Sequence, residues 1–307
     1  MNKESKIYVL GSGFVGTNVH NQLIKRGYKN TELLGRARVD LSDKVEVDFL
    51  FDNNKIDYVI LSGALVGGIQ ANMINQYNFL LQNLLIQNNV IPNCVKHNIK
   101  SVILGSSCIY PKGYDILIEE DLLTAPLEPT NEGYSLAKIA GLKLAEYANR
   151  EQDGKLISLM PCNIYGPKDN FDLNNSHVLS ALVKKICDAK TNNSESVEIW
   201  GDGTQRREFL YIDELSDAII WSLNNLDKTK TFLNVGTGVD ISIKELAETI
   251  AKIVEYKNKF IFNTDKPNGM LKKCMNVNKI NNLGWSSNTS FLDGLTETIN
   301  YYQGLKK

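Results

Sequence analysis

Ile7-Tyr-Val-Leu-Gly-Ser-Gly-Phe-Val-Gly16 decides the fold. Ile7 to Leu10 is a short apolar run of the kind that forms a strand buried on both faces. Glycines at 11, 13 and 16 follow without a gap, and a helix is predicted from there to about Arg26. Gly11 permits the tight turn, Gly13 lets the backbone approach a pyrophosphate, and Gly16 allows helix and strand to pack closely. The helix N-terminus then faces the phosphates. Three glycines at this spacing are by themselves only a turn. Between a strand and a helix they read as a dinucleotide site.

The same alternation continues outward. Thr31-Glu-Leu-Leu34, Ile56-Asp-Tyr-Val-Ile-Leu61, Val102-Ile-Leu104 and Lys155-Leu-Ile-Ser-Leu-Met160 read as further strands. Helices separate them, including a long one from about Asn75 to His97 that Pro92 is expected to kink. This pattern predicts an α/β chain with a Rossmann-type, doubly wound parallel sheet in residues 1–165. Phe232-Leu-Asn-Val235 is expected to return to the sheet edge, so a strand near 232–238 joins the first domain. Residues 166–307 mainly form a smaller α/β lobe. It holds a helix opening at His177, a strand Val197–Trp200, the turn Gly201-Asp-Gly203, a second strand Arg206–Ile212 and an amphipathic helix Ile243–Val254.

Composition narrows the function classes. The 307 residues carry 34 Lys and Arg against 35 Asp and Glu, a net charge of −1, and the cations are scattered. Neither a nucleic-acid surface nor a membrane surface is indicated. No apolar run reaches the ~18 residues of a membrane span, and the N-terminus has no signal-peptide core. The five cysteines form no CxxC pair, which suggests a reduced compartment with neither disulfide nor metal site. A cytoplasmic protein is expected. After the second strand come Arg36 and Arg38, where a site for NAD would carry an acid. They suit a 2′-phosphate and favour NADPH, or they are solvated loop residues. Asp40 either reaches the adenine or caps the helix that starts near Lys44.

A second stretch carries the chemistry. Val102-Ile-Leu104 ends in Gly105-Ser-Ser-Cys108, at the strand edge where ligands bind in open α/β sheets. Downstream, Tyr134-Ser-Leu-Ala-Lys138 opens a helix, and the i, i+4 spacing puts phenol and ammonium on one face. An ammonium there is expected to lower the phenol's pKa from ~10. A serine hydroxyl beside it can hold a carbonyl in line with a hydride source. Of the three histidines, His20 and His97 read as structural. His177 opens the second lobe, where a histidine's side-chain chemistry suits proton exchange near neutral pH. Cys108 taken alone is a small buried hydrophobe at a strand end. Asn83 either braces the active-site strands or is a polar helix-face residue.

Gly105-Ser-Ser-Cys-Ile-Tyr-Pro111, Leu127-Glu-Pro-Thr-Asn-Glu132, Tyr134xxxLys138, Pro161-Cys-Asn-Ile-Tyr-Gly-Pro167, Asn175-Ser-His-Val178, Arg207-Glu-Phe209 and Asn234-Val-Gly-Thr-Gly238 together resemble the GDP-L-fucose synthases. These are epimerase/reductases of the extended short-chain dehydrogenase/reductase family. The resemblance covers nearly the whole chain. It implies NADP(H) as cofactor, a GDP-linked 4-keto-6-deoxy sugar as substrate, and a homodimer. It also implies catalytic roles for Ser106, Tyr134 and Lys138, with Cys108 and His177 as the epimerisation base and acid. Cofactor contacts are implied from Gly11, Gly13, Phe14, Val15, Gly16, Arg36, Arg38, Asp40, Leu104, Gly105, Pro161, Asn163, Ile164 and His177, together with Ser106, Tyr134 and Lys138. Substrate contacts are implied from Ser107, Cys108, Asn163, Lys185, Trp200, Arg207 and Asn268. The chain departs from the family pattern in its compact Gly11-Ser-Gly13 turn, in Leu65 for a lysine, in Gly133 for a proline and in Asn268 for an aspartate. These departures leave as the alternative a C4-reductase of a related GDP-4-keto sugar, a 6-deoxy-heptose or dideoxyhexose, with partial epimerisation or none.

Overall fold

A computed structural model describes residues 1–173, 175–228, 232–265 and 270–305. In chain order the first half runs β1 (Lys6–Leu10), α1 (Phe14–Lys25), β2 (Asn30–Leu34), α2 (Lys44–Asp52), β3 (Tyr58–Leu61), α3 (Ile69–Ile74) and α4 (Gln76–Lys96). It continues with β4 (Lys100–Leu104), β5 (Ile116–Leu117), α5 (Glu132–Glu151), β6 (Leu156–Pro161) and β7 (Asn163–Tyr165). The second half runs α6 (Val178–Thr191), β8 (Ser196–Trp200), β9 (Arg206–Tyr211), α7 (Ile212–Asn224), β10 (Leu233–Val235), β11 (Asp240–Ser242) and α8 (Ile243–Val254). It closes with β12 (Lys259–Asn263), β13 (Lys272–Met275), α9 (Asn278–Leu283) and α10 (Phe291–Gly304).

Six strands form one parallel sheet in the order β10-β6-β4-β3-β1-β2. The order reverses between β1 and β3, the place at which open α/β sheets bind ligands beyond the strands' carboxyl ends. Side chains alternate across the sheet as the two-residue strand period requires. Ile7, Val9, Ile60, Val102 and Ile157 pack with Val19 and Leu23 of α1 and Leu215 and Ile219 of α7. Tyr8, Leu10, Val59 and Ile103 pack on the other face with Val47 and Phe51 of α2 and Val90, Ile91 and Cys94 of α4. The returning strand is as expected, with β10 paired to β6. Helix α4 runs through Pro92 without interruption.

A second core joins α6, α8 and α10 through Leu179, Val183, Ile186, Leu246, Ile250, Leu295 and Ile299. Helix α8 starts where its sequence says it should. Ser242 and Glu245 form a reciprocal capping box there. Val197–Trp200 and Arg206–Ile212 do not pair with each other across the glycine turn. β8 pairs with β12, while β9 lies among β11, β13 and β7. That arrangement places β13, from the tail, beside the strand that carries Arg207, with Lys273 opposite Arg207 in register.

Candidate active site

The glycine turn is built for close approach. Gly11 has φ +114°, and a Cβ on it would sit 2.4 Å from the Gly63 nitrogen. A Cβ on Gly16 would meet the Gly11 carbonyl oxygen at 1.8 Å, so α1 and β1 touch only because that side chain is missing. At Gly13 a Cβ would meet nothing within 4 Å. Gly13 caps α1 with no side-chain hydrogen bond, so the donors of Phe14, Val15 and Gly16 in the first turn have no side-chain acceptor. A bare helix N-terminus behind open space fits the pyrophosphate of a dinucleotide.

The segment after β2 is more committed. Arg36 donates from Nε and Nη2 to Asp40 Oδ2 at 3.1 and 3.0 Å, and Arg38 lies 3.8 Å from Glu32. Both arginines are exposed. Asp40 is not the helix cap, because Asp43 accepts the Val45 and Glu46 amides at the start of α2. The other Asp40 oxygen accepts from the Ser42 amide and hydroxyl, and these bonds, followed by Arg36, hold its carboxyl below its ordinary pKa.

At the end of β4, Ser106 caps a short turn over Ser107–Ile109 and accepts from the Cys108 amide at 3.2 Å. Gly105 is forced small, since a Cβ there would strike Met160 at 2.2 Å. Lys138 is 6% exposed, and its ammonium donates to the Leu104 carbonyl at 2.8 Å. Burial brings its pKa down to about 8. The ammonium is 5.7 Å from the centre of the Tyr134 ring, and Phe79 meets that ring edge-on. The expected lowering of the Tyr134 pKa is not found. Burial pushes the phenol up, charge at Cys108 adds to this, and a hydrogen bond with Ser106 only partly offsets it. The reason is local: the ammonium is turned toward a backbone carbonyl and is itself desolvated.

Cys108 is the best-supplied side chain of the site. Its sulfur accepts from Asn131 Nδ2 at 3.2 Å and from Lys273 Nζ at 3.5 Å. Ser135 Oγ fixes its carbonyl at 2.8 Å. Arg207, whose own charge burial disfavours, lies near enough to respond to charge on the same sulfur. The buried hydrophobe expected of Cys108 taken alone is therefore the wrong description. Asn131 stands inside the Leu127–Glu132 motif, but nothing in that motif marks it as a partner of the sulfur. Lys273 has no motif signal at all, and only the β9–β13 pairing brings it in.

His177 is exposed at the N-cap of α6. It faces Asp169, whose carboxyl burial pushes up and the Ser180 hydroxyl, the Asn170 amide and the His177 charge pull back. The neighbouring Ser176 carbonyl lies 3.7 Å from where a Cβ on Gly68 would be, so the loop after β3 meets the segment carrying His177. Asn83 braces that loop, bonding both the amide and the carbonyl of Leu65. Pro161, Asn163 and Ile164 continue from β6 into β7, with Asn163 Nδ2 donating to the Glu208 carbonyl at 2.8 Å. Lys185 donates to the Glu198 carbonyl and its ammonium is 5.7 Å from the Trp200 ring centre, on the second lobe. Asn268 lies outside the described residues.

The family model described as the NAD dependent epimerase/dehydratase family matches residues 7–236. A putative GDP-L-fucose synthase 2 of Arabidopsis thaliana is 42% identical over 98% of this chain and 93% of its own. The GDP-L-fucose synthase of Escherichia coli strain K12 is 40% identical, covering 97% of both chains. Among solved structures, a GDP-mannoheptose C4 reductase from Campylobacter jejuni with NADP bound superposes with a TM-score of 0.91. It is 34% identical and covers 99% of each chain.

Proposed function

The chain belongs to the NAD dependent epimerase/dehydratase family, and from that premise we propose an NADPH-dependent 3,5-epimerase and 4-reductase of a GDP-4-keto-6-deoxy-mannose-like sugar. Residues 1–165 with the strand near 232–238 hold the dinucleotide, and residues 166–307 mainly hold the nucleotide sugar. The observation that carries the reading is the Cys108 sulfur, flanked by Asn131 and Lys273, next to the Ser106–Tyr134 pair.

A ketone at C4 acidifies the hydrogens on C3 and C5. Cys108 takes one of them, and Ser106 and Tyr134 hydrogen-bond the C4 oxygen as charge develops there. His177, from the second lobe, returns a proton on the opposite face and so inverts the centre. Tyr134 stays protonated at neutral pH because of its burial, so it holds the proton that the C4 oxygen takes on reduction. Bound NADPH supplies the hydride to C4. Lys138 orders the ribose side, while Arg207, Lys185 and Trp200 face the nucleotide diphosphate end. Purified protein should oxidise NADPH when given GDP-4-keto-6-deoxy-mannose and release GDP-L-fucose. No oxidation under any ratio of the two would sink the reading.

One observation favours a second substrate. Leu65 and Gly133 depart from the family pattern next to the site, and a GDP-mannoheptose C4 reductase shares the fold at a TM-score of 0.91. NMR of the product from each candidate GDP-4-keto sugar separates the two. An exclusive L-fucose product eliminates the heptose or dideoxyhexose alternative. The homodimer we propose pairs α4 and α5 of two copies. Ile74 and Tyr77 are 74% and 77% exposed on either side of the start of α4, with Leu136 and Tyr147 exposed on α5. Monomer at micromolar concentration in sedimentation would remove it. We place the enzyme in the cytoplasm, a compartment that suits its five free cysteines.

A further inference from the structure

We infer that Gln76 is a positioning residue for proton exchange: its carboxamide pins the segment that aims Asn131 at the Cys108 sulfur. Gln76 is the first residue of α4. Its Oε1 accepts from the Gly133 amide at 2.9 Å, and its Nε2 donates to the Pro129 carbonyl at 2.8 Å. One side chain thus grips the backbone on both sides of Asn131. The approach is close enough that a Cβ on Gly133 would stand 2.5 Å from the Gln76 carbonyl oxygen. Between the two grips, Asn131 Nδ2 reaches the sulfur at 3.2 Å. Ser135 ties the same segment down from the far side, bonding the Asn131 and Cys108 carbonyls.

The pairing explains the family departure at Gly133. A proline there has no N–H to give and no room beside Gln76. In this chain the glycine donates to Gln76, and the hold on the segment comes from a side chain rather than from a ring. Gln76 makes no contact with the sulfur. Its effect is geometric, since it holds Asn131 where its N–H meets the sulfur and so fixes how the sulfur is presented.

This inference rests on Cys108 being the proton-transfer group, so its test needs a readout that does not depend on the substrate. Alkylation of Cys108 by iodoacetamide supplies one, because the other four cysteines are buried. Gln76→Leu keeps the volume and loses both bonds. Gln76→Glu keeps the acceptor for Gly133. At pH 7, Gln76→Leu should slow alkylation about threefold and solvent-deuterium entry at C3 and C5 of GDP-4-keto-6-deoxy-mannose about tenfold. Gln76→Glu should recover part of both rates. The isotope effect from deuterated NADPH should fall toward one in Gln76→Leu, because proton exchange becomes the slow step. Wild-type alkylation in Gln76→Leu overturns the proposal, and so does equal loss in both variants. Slowed alkylation with unchanged deuterium entry overturns the link to proton exchange. If the wild type takes up no deuterium at all, the functional reading fails, and the alkylation rates alone decide whether the clamp exists.

Discussion

The glycine turn and the Cys108 corner are two ways of making a site from one chain. The first is contiguous: Gly11 to Gly16 shape the turn, the close contact and the open helix end within six residues. The second is assembled. Cys108 follows β4, Asn131 precedes α5, Arg207 comes from β9, and Lys273 arrives from 165 residues away along the chain. A contiguous site is specified by spacing, so its geometry follows from backbone sterics. An assembled site is specified by which strands pair, and its electrostatics follow from burial that no spacing encodes. Tyr134 and Lys138 lie between these cases, with a local spacing and non-local surroundings.

The largest effect should come from removing the proton that this middle region holds. Tyr134→Phe should cut NADPH oxidation by about a thousandfold, within the range for a positioned acid. It should also slow solvent-deuterium entry at C3 and C5, since the phenol bonds the C4 oxygen there too, but less, because Ser106 still bonds that oxygen and Cys108 keeps its partners. Equal losses in both would mean that the two regions are one functional unit, and the comparison would break.

Much of the contiguous half is legible in the residues themselves. Buried apolar runs locate the strands of the main sheet to within two residues, because a parallel sheet covered on both faces needs such runs. The Ser242–Glu245 pair fixes the start of α8 by itself. The pairing of β8 is not legible. Ser196–Trp200 alternates buried and exposed residues equally well beside β9 or β12, and the turn between β8 and β9 suggests the nearer partner. Lys273 is hidden for the same reason, since its importance depends on β13 pairing with β9. Spacing also gives the wrong direction for the Tyr134 shift, because i, i+4 brings an ammonium near a phenol. It does not show that Leu104 claims the ammonium or that water is excluded.

Lys138 gives the next effect, and it concerns stability. Its folded pKa of about 8 lies below the ordinary 10.5. Below pH 8 both states carry the proton and the folded protein bears the full cost of a buried charge. Between pH 8 and 10.5 the unfolded chain binds more protons, so stability rises with pH. The gap is worth about 3 kcal/mol at 1.36 kcal/mol per pH unit. Urea unfolding of wild type and Lys138→Met at pH 7 to 10 isolates it, because the other titrating groups cancel in the difference. Lys138→Met should be the more stable at pH 7, with the wild type closing the gap by pH 10. A gap that stays flat would place the lysine proton in water, and the middle region would lose its non-local character. A smaller effect tests the assembled corner directly. Lys273→Met should slow deuterium entry about tenfold, near the loss of one charge-assisted bond, and leave NADPH affinity unchanged. A loss of NADPH affinity instead would move Lys273 to the contiguous region.

The smallest effect is expected at Arg36 and Arg38, where the contiguous region reaches solvent. Spacing alone suggests at least tenfold for one arginine, as if each guanidinium waited for a 2′-phosphate. The structure lowers that figure. Arg36 is 80% exposed on its side chain and already donates two bonds to Asp40, while Arg38 lies 3.8 Å from Glu32. A phosphate would gain only the difference between its own bonds and those of the carboxylate it displaces, in water-screened surroundings. Asp40 would also keep its Ser42 bonds after losing Arg36, so the exchange need not leave it bare. Arg36→Ala should therefore weaken NADPH by about fivefold, and the double variant with Arg38→Ala by about tenfold or more, with NADH nearly unaffected. Dissociation constants for both cofactors at low and moderate salt are the measurement, and the NADPH effect should shrink as salt rises. Equal weakening of both cofactors would mean that the arginines support the turn rather than the phosphate. A single-variant loss well above tenfold would mean that Arg36 leaves Asp40 at no cost, contrary to the two hydrogen bonds it donates there.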